Sequence, residues 1–176
     1  MITNPTRDCL AEVKTALNQR GDAWRIASLA TVDIQGIPQV RSVVVRDVNL
    51  TQDSIIIFTD RRSGKVADIR QQPQCSVLLW CPDRQQQWRM HCIGRVLEDN
   101  TPYWQAIANS RSIKDYATSV PPGTTLENGL TFDIVSAEQH FCVIELEVRS
   151  IDRLWLSKEG HRRQHISTDG VRDICP

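Results

Sequence analysis

The chain has 176 residues, of which 40% are hydrophobic and 24% charged, and its 21 basic and 21 acidic side chains give a formal net charge of zero. This length and composition are typical of one folded domain with a sizeable core. Domains that bind nucleic acid are usually clearly basic, so the charge balance argues against a nucleic-acid partner. No apolar run approaches the ~20 residues of a membrane span, so we also expect no membrane partner.

The start of the chain and its cysteines predict a cytoplasmic protein. The N-terminal stretch carries early charges and no apolar core of the kind that a secretory signal peptide has. The six cysteines form no Cys-x-x-Cys pair, and several lie inside apolar, strand-like runs. A reduced cysteine in such a run behaves as a small hydrophobic residue, which is typical of a reducing compartment.

The predicted elements follow one another as hairpins, without a strand–helix–strand alternation. Apolar periodicity and turn residues predict a helix at 5–20, strands at 24–32, 37–48 and 53–59, a helix at 63–71, strands at 74–81 and 86–97, two short helices at 102–109 and 112–118, and strands at 141–156 and 162–167. About seven strands with few long helices favour an antiparallel barrel or sandwich, so the predicted fold class is mostly β with peripheral helices.

We expect one domain over residues 1–176. Its parts are an N-terminal helix at 1–21, a barrel core at 22–98, helices and a loop at 99–140, and a C-terminal strand and hairpin at 141–176. The loop at 120–131 is rich in Pro and Gly near its start, and it is a candidate lid over a site. Trp80 and Trp104 are predicted to anchor the core, whereas Trp155 is predicted to touch a ligand.

The segment from Arg41 to Lys65 carries the strongest functional signal. Two β-branched runs, separated by a polar turn, have basic residues at their ends, and the second run leads into a helix whose predicted cap is Ser63. Arginines, hydroxyls and free backbone N–H groups at a helix start together form a phosphate site. The alternative is that these cations are solvated charges at strand ends, which need no functional explanation.

The order of these elements resembles the pyridoxamine-phosphate oxidase family, the FMN-binding split β-barrels, over about residues 24–94 and more weakly over 141–165. The matching pieces are a strand reading RSVVVR, a strand end reading IFTD, Ser-x-Lys opening a helix, QQP before the next strand, and the strand QQWRMHCIGRV. The opening LATVDIQGIPQVRSVVVRD is most similar to a cyanobacterial and plant branch of that family. The resemblance implies an antiparallel split β-barrel, FMN as cofactor, and a homodimer with FMN at its interface.

The resemblance also implies roles for individual residues. Arg41 and Lys65, helped by Ser63, would hold the FMN phosphate. The remaining cofactor contacts implied within the strands and the C-terminal hairpin are Ser42, Val43, Val44, Phe58, Thr59, Asp60, Gln87, Arg89, Trp155 and Arg163. Of these, Gln87 or Arg89 would reach the flavin from the partner subunit, whereas Trp155 and Arg163 would close the site.

The implied substrate contacts are Arg46, Arg111 and His161, and here the chain departs from the family pattern. The family oxidases hold a substrate phosphate with a Lys, a Tyr, an Arg and a Ser. Arg46 would stand for the Lys and Arg111 for the Arg, but the Tyr and Ser positions fall near Ile107 and Asp115. A carboxylate is unfavourable in a phosphate pocket, so FMN binding is better supported than oxidation of a vitamin.

Three functions remain open. The first is an FMN-dependent oxidase or reductase acting on a small molecule, where the flavin carries the hydride chemistry and no catalytic side chain is required. The second is a non-catalytic flavin-binding carrier or sensor module. The third is a split barrel that binds another cofactor, such as haem or deazaflavin. His161 and His165 have the spacing of a metal pair on a helix, but they fall in a predicted hairpin, so we expect no metal site.

Overall fold

A computed structural model describes residues 4–126 and 135–176. Its helices are α1 Pro5–Leu17, α2 Gly64–Gln71 and α3 Thr101–Ile107, with short 3-10 helices at Ala23–Arg25 and Arg111–Tyr116. Its strands are β1 Ile26–Val32, β2 Pro38–Asn49, β3 Ser54–Asp60, β4 Gln74–Cys81, β5 Gln86–Val96, β6 Phe141–Trp155, β7 Arg162–Ser167 and β8 Gly170–Ile174. No helix among these residues is long and apolar enough to cross a membrane.

Six antiparallel strands close into a barrel. The sheet runs in the order β3-β2-β1-β4-β5-β6-β7-β8, and an additional pairing of β3 with β6 joins its two sides. The first half of β6 pairs with β3, from Ser54 opposite Glu147 to Asp60 opposite Phe141. The second half of β6 instead pairs with β7, which in turn pairs with β8 outside the barrel. The predicted fold, a mostly β antiparallel split barrel, is therefore confirmed.

The core fills the barrel and continues outside it on one side. Alternate residues of each strand, such as Leu29, Val45 and Met90, point inward and are almost fully buried, while α1 and α2 close the ends with their own apolar residues. A second cluster lies on the outer side of β3 and β6, where Ile56 packs with Phe141, Tyr116 and neighbouring helical residues. Because β3 is covered on both faces, its middle residues, 55–58, form a continuous apolar run.

The structure corrects predictions about the first helix, which ends at Leu17 and not at residue 20, about two strands and about one core tryptophan. An eighth strand, β8, was missed because its short sequence GVRDI is mostly exposed and lacks an apolar pattern. The first strand begins at Ile26, since Asp22 accepts a hydrogen bond from the backbone of Trp24 and starts a 3-10 turn there. Trp80 is not a core residue: it lies on the outer face of β4 and is 39% exposed.

Trp88 occupies the core position that was expected for Trp80. Its side chain is fully buried, and its ring centroid lies 4.5 Å from that of Trp24. The predicted close approach at Gly94 is present, because a Cβ on this residue would lie only 3.0 Å from the side chain of Ile69 on α2. Gly94 therefore lets α2 sit directly against β5.

Candidate functional site

A cavity of about 260 Å³ lies on the outer side of β2 and β3, at the start of α2. It is called the β2 cavity below. Its lining residues come from the two strands, from the helix start and from the segment after α3: Ser42, Val43, Val44, Arg46, Phe58, Thr59, Asp60, Ser63, Lys65, Asp115, Tyr116 and Pro122. Eight residues predicted to contact the cofactor and one predicted to contact substrate, Arg46, therefore share one cavity.

Hydroxyl groups and a cation meet at the N-terminus of α2. The Lys65 Nζ donates to Thr59 Oγ1 at 2.9 Å, and Thr59 Oγ1 lies 3.1 Å from Ser63 Oγ. Ser63 occupies the N-cap position, but its side chain makes no hydrogen bond to the helix backbone. The helix start therefore presents backbone N–H groups, two hydroxyls and an ammonium to one end of the β2 cavity, which are the groups that bind a phosphate.

Arg41 is not among the residues that line the cavity, although its charge acts on Lys65. Its guanidinium donates to Thr31 Oγ1 at 2.5 Å and to Asp68 Oδ2 at 3.3 Å. The pKa of Lys65 lies below its ordinary value. The main cause is burial of the side chain, and the second is the positive charge of Arg41. Two cations that repel each other in a half-buried place favour the binding of an anion, because an anion offsets both the repulsion and the lost hydration.

Asp60 and Arg62 tie the cavity to the segment that follows α3. Arg62 donates to both carboxylate oxygens of Asp60 and to the backbone carbonyls of Thr118 and Ser119. Burial opposes ionisation of Asp60, but the hydrogen bonds and charge of Arg62 hold the pKa of this carboxyl below its usual value. Asp60 is thus paired within the chain, and its role here is to fix the wall of the cavity.

The wall of the cavity also contains an arginine and aromatic rings. The guanidinium of Arg46 lies 5.6 Å from the ring centroid of Phe58, and its buried Nε has no hydrogen-bond partner among the described residues. Burial raises the pKa of Tyr116, although the nearby charge of Arg46 opposes this rise. Tyr116 therefore stays neutral at physiological pH and can donate a hydrogen bond.

The predicted residues of β5 and the C-terminal hairpin do not line this cavity within one chain. Asp152 accepts hydrogen bonds from Arg89 at 2.5 Å and from Arg163 at 2.6 Å, so both guanidinium groups are paired. Gln87 pairs with Trp80 and Leu154 on the neighbouring strands. The ring of Trp155 is covered by the guanidinium groups of Arg153 and Arg162. The Nδ1 of His161 accepts a hydrogen bond from the backbone of Ser157. The Arg111 side chain lies outside the described part of the structure.

The sequence reasoning missed Tyr116 and Pro122. The tyrosine of the family pattern was sought near Ile107, one helix earlier, whereas the structure brings Tyr116 to the cavity wall. The signal that could have located it is composition, because the chain contains only two tyrosines. Residues 4–126 and 135–176 contain no group of three or more His, Cys, Asp or Glu side chains that could hold a metal ion.

Comparison with known families identifies the relationship. Residues 7–98, more than half of the chain, match the family model described as pyridoxamine 5'-phosphate oxidase, FMN-binding domain, and the chain belongs to this family. A pyridoxine/pyridoxamine 5'-phosphate oxidase from Chromohalobacter salexigens is 35% identical over 69 residues. That alignment covers 39% of this chain and only 30% of the relative. The predicted family is confirmed, and FMN is the cofactor of its matched domain.

Two solved structures share the whole fold. The first is a pyridoxamine 5'-phosphate oxidase-related, FMN-binding protein from the cyanobacterium Nostoc punctiforme, with a TM-score of 0.77, 23% identity and full coverage of both chains. The second is PhzG from Burkholderia lata, solved with tetrahydrophenazine-1-carboxylic acid, with a TM-score of 0.77 and 19% identity over 98% of this chain and 93% of that one. At these identities the likeness concerns the fold, which is the one predicted.

Proposed function

We propose that this member of the family is an FMN-dependent oxidoreductase in which the β2 cavity holds the cofactor. The observation that carries the proposal is the meeting of Lys65 with the hydroxyls of Thr59 and Ser63 at the start of α2, in a cavity lined by eight of the predicted cofactor contacts. These groups fit the phosphate of FMN, and we propose that Arg41, whose charge adds to burial in lowering the pKa of Lys65, is the second cation of the phosphate site.

The rest of the cavity fits a planar, partly polar ring. The backbone of residues 42–44 supplies hydrogen-bonding groups along one edge, and Phe58 supplies an apolar wall. Bound flavin supplies hydride transfer, so the side chains of this chain need only bind, orient and exclude water. Arg46 and Tyr116 line the same cavity and make no contact with the Lys65–Thr59–Ser63 group in the hydrogen bonds described above, and they are our candidates to orient a substrate.

We further propose that the protein is a homodimer whose interface includes the outer face of β1 and β2. Exposed apolar side chains gather there: Ile26 is 52% exposed, Ile37 53% and Val40 70%. Ile26 stands opposite Val44, which lines the β2 cavity, so this apolar surface is continuous with the proposed cofactor site. A second copy of the chain seated there would remove both the apolar surface and one open side of the cavity from water.

Gln87, Arg89, Trp155 and Arg163 fit this arrangement as contacts made to the flavin of the partner subunit. Gln87 and Arg89 lie on the outer face of β5, which joins the apolar face through β4. Asp152 fixes the directions of Arg89 and Arg163, so both would meet a partner's cofactor with little further loss of side-chain freedom. His161 and Arg111 are proposed as substrate contacts.

The cofactor assignment is tested with Arg41→Ala and a matched surface control, Arg149→Ala, whose exposed guanidinium pairs with Glu147. Affinity for FMN and for riboflavin, the same flavin without its phosphate, is measured by titration of the apoproteins. Arg41→Ala should weaken FMN by about 10-fold or more, since a charge-assisted contact contributes roughly 1.5–3 kcal/mol, and leave riboflavin nearly unchanged. An unchanged ratio of FMN to riboflavin affinity would refute the assignment.

The dimer is tested by placing a charge on the apolar face. Val40→Glu should yield monomers in analytical ultracentrifugation and weaken FMN binding, because a carboxylate would be buried without a partner. Gln52→Glu is the control, since Gln52 is exposed in the turn between β2 and β3, at the other end of β2 from Val40. FMN-loaded monomers of the parent protein would contradict the proposal directly.

A second candidate is a flavin-binding module without turnover. It is favoured by Asp115, which lines the β2 cavity and would repel a phosphorylated substrate. The two candidates are separated by mixing the oxidised, FMN-loaded protein with pyridoxamine 5'-phosphate or the unphosphorylated amine in the absence of oxygen and following the flavin absorbance. Reduction of the flavin by either amine, followed by its reoxidation when dioxygen is admitted, supports the enzyme, whereas a flavin that stays oxidised with both amines supports the module.

A further inference from the structure

A polar network joins the helix that carries Lys65 to the first two strands of the barrel, and the proposed function gives this network no role. It joins three elements: Thr31 on β1, Arg41 on β2 and Asp68 on α2. The Thr31 hydroxyl donates to Asp68 Oδ2 at 2.6 Å and accepts from Arg41 Nη1 at 2.5 Å, while Arg41 Nη2 donates to the same Asp68 oxygen at 3.3 Å. Thr31 is 2% exposed and Asp68 7%.

The network fixes Arg41 from several directions. Besides Thr31 and Asp68, the backbone carbonyls of Leu29 and Gln39 lie within 3.4 Å of Nη1. A long arginine side chain loses considerable rotamer entropy when it is held in one position, and these partners incur that loss before any ligand arrives. The guanidinium is thereby held at a set place in the apoprotein, close enough to Lys65 to lower that side chain's pKa.

Asp68 also links the two cations through one helix. Lys65 and Asp68 both belong to α2, so the helix that presents Lys65 to the β2 cavity also carries the carboxylate that grips Arg41. The same helix therefore takes part in placing both cations.

We infer that Asp68, acting through Thr31, is a positioning residue that holds the Arg41 guanidinium for the phosphate of the cofactor. The inference rests on the proposed FMN site and assigns that site a support which the family resemblance did not include. Asp68 and Thr31 touch no ligand in this scheme. They decide whether Arg41 is in place when the phosphate binds.

The two possible roles of Asp68 predict opposite changes in FMN affinity when its charge is removed. If the carboxylate acted only as a nearby negative charge, it would repel a phosphate, and Asp68→Asn would tighten FMN binding. If it positions Arg41, the same change weakens FMN binding. Thr31→Val removes the bridging hydroxyl without any change in charge, so it isolates positioning from electrostatics. Thr31→Ser keeps the hydroxyl and is the matched control.

The experiment titrates the apoproteins of these three variants and of Arg41→Ala with FMN and with riboflavin, after thermal unfolding has shown that each is folded. Asp68→Asn and Thr31→Val should weaken FMN by about 10-fold and riboflavin by less than about 2-fold, with Thr31→Ser close to the parent. A purely structural role would weaken both flavins alike, or neither. If Asp68→Asn does not fold, Thr31→Val alone decides the question.

The failures are distinguishable. Arg41→Ala that weakens FMN selectively, beside Thr31→Val and Asp68→Asn that do not, would overturn the positioning role and leave the phosphate site intact. Arg41→Ala that leaves the ratio of the two affinities unchanged would overturn the phosphate site and the inference with it.

Discussion

Replacing Lys65 by Met should weaken FMN binding without destabilising the apoprotein. Methionine keeps most of the apolar stem, so the change removes mainly the ammonium. The charged form of Lys65 is disfavoured in the fold by burial and by Arg41, as its lowered pKa indicates. Lys65→Met removes this unfavourable burial of charge, which stabilises the apoprotein. It also removes one hydrogen bond to Thr59, which costs roughly 0.5–1.5 kcal/mol, although Thr59 keeps its contact with Ser63. The free energy of unfolding should therefore stay equal or rise.

The effect on FMN has the opposite sign. One charge-assisted contact to phosphate contributes roughly 1.5–3 kcal/mol, which corresponds to a loss of about 10- to 150-fold in affinity. Urea unfolding of the apoprotein measures the first quantity, and titrations with FMN and riboflavin measure the second. Lys158→Met, at an exposed turn, serves as the control. A variant that loses stability yet binds FMN as the parent does would show that Lys65 is a structural residue, and our reasoning would be refuted.

The remaining predictions concern pH and packing. Because the pKa of Lys65 is lowered, the preference for FMN over riboflavin should decline at a lower pH than an ordinary lysine would give, and Lys65→Met should abolish this pH dependence in the titrations. The pKa of Asp60 is lower in the folded protein than in the unfolded chain, where it is about 3.9. Its carboxylate therefore contributes stability above that pH, and this contribution is lost as the pH falls through the folded pKa. In urea unfolding, the difference in stability between the parent and Asp60→Asn should shrink below about pH 4. Gly94→Ala should destabilise the protein by about 1–3 kcal/mol through its contact with Ile69, whereas Gly64→Ala, which meets no neighbour, should not.

The barrel could be predicted because its strands carry strong local signals. β4 spans the predicted residues 74–81, and the ends of β2, β3 and β5 differ from the predictions by only one residue. Alternating burial and hairpin turns, such as the turn at Gly36 with its positive φ, encode this part of the chain locally. β8 could not be predicted, since it pairs only with β7 and buries little.

Closure of the barrel was beyond local patterns. The contact between β3 and β6 joins residues more than 80 positions apart in the sequence. The sequence of either strand alone does not identify the strand with which it pairs. The same limit explains the misplaced core tryptophan. Trp80 and Trp88 lie on neighbouring strands, and a shift of one residue in the alternation decides which of them points inward.

The candidate site was predictable where it is local in sequence. Residues 42–44, 58–60, 63 and 65 lie on two adjacent strands and the following helix start, so their meeting follows from one hairpin. Tyr116 reaches the cavity through a long connection, and Thr31 and Asp68 belong to elements that meet only once the barrel has closed. Their types gave no signal, because a threonine in a strand and an aspartate in a helix are ordinary surface residues in a sequence.

The stability of the fold and the chemistry of the site are largely separate in this molecule. The main apolar core lies inside the barrel, whereas the β2 cavity lies on the outer side of β2 and β3. A change at a polar group of the cavity wall such as Lys65 should therefore alter ligand affinity at little cost to folding, whereas Phe58 and Tyr116 also belong to the second apolar cluster. The Thr31–Arg41–Asp68 network affects both stability and ligand binding. Removal of Arg41 alone leaves the buried carboxylate of Asp68 without its cation, and breaking such a pair costs several kcal/mol. For Arg41→Ala, the stability of the apoprotein must therefore be measured together with its affinity for FMN. Thr31→Val separates these two effects, because it leaves the charges of Arg41 and Asp68 in place.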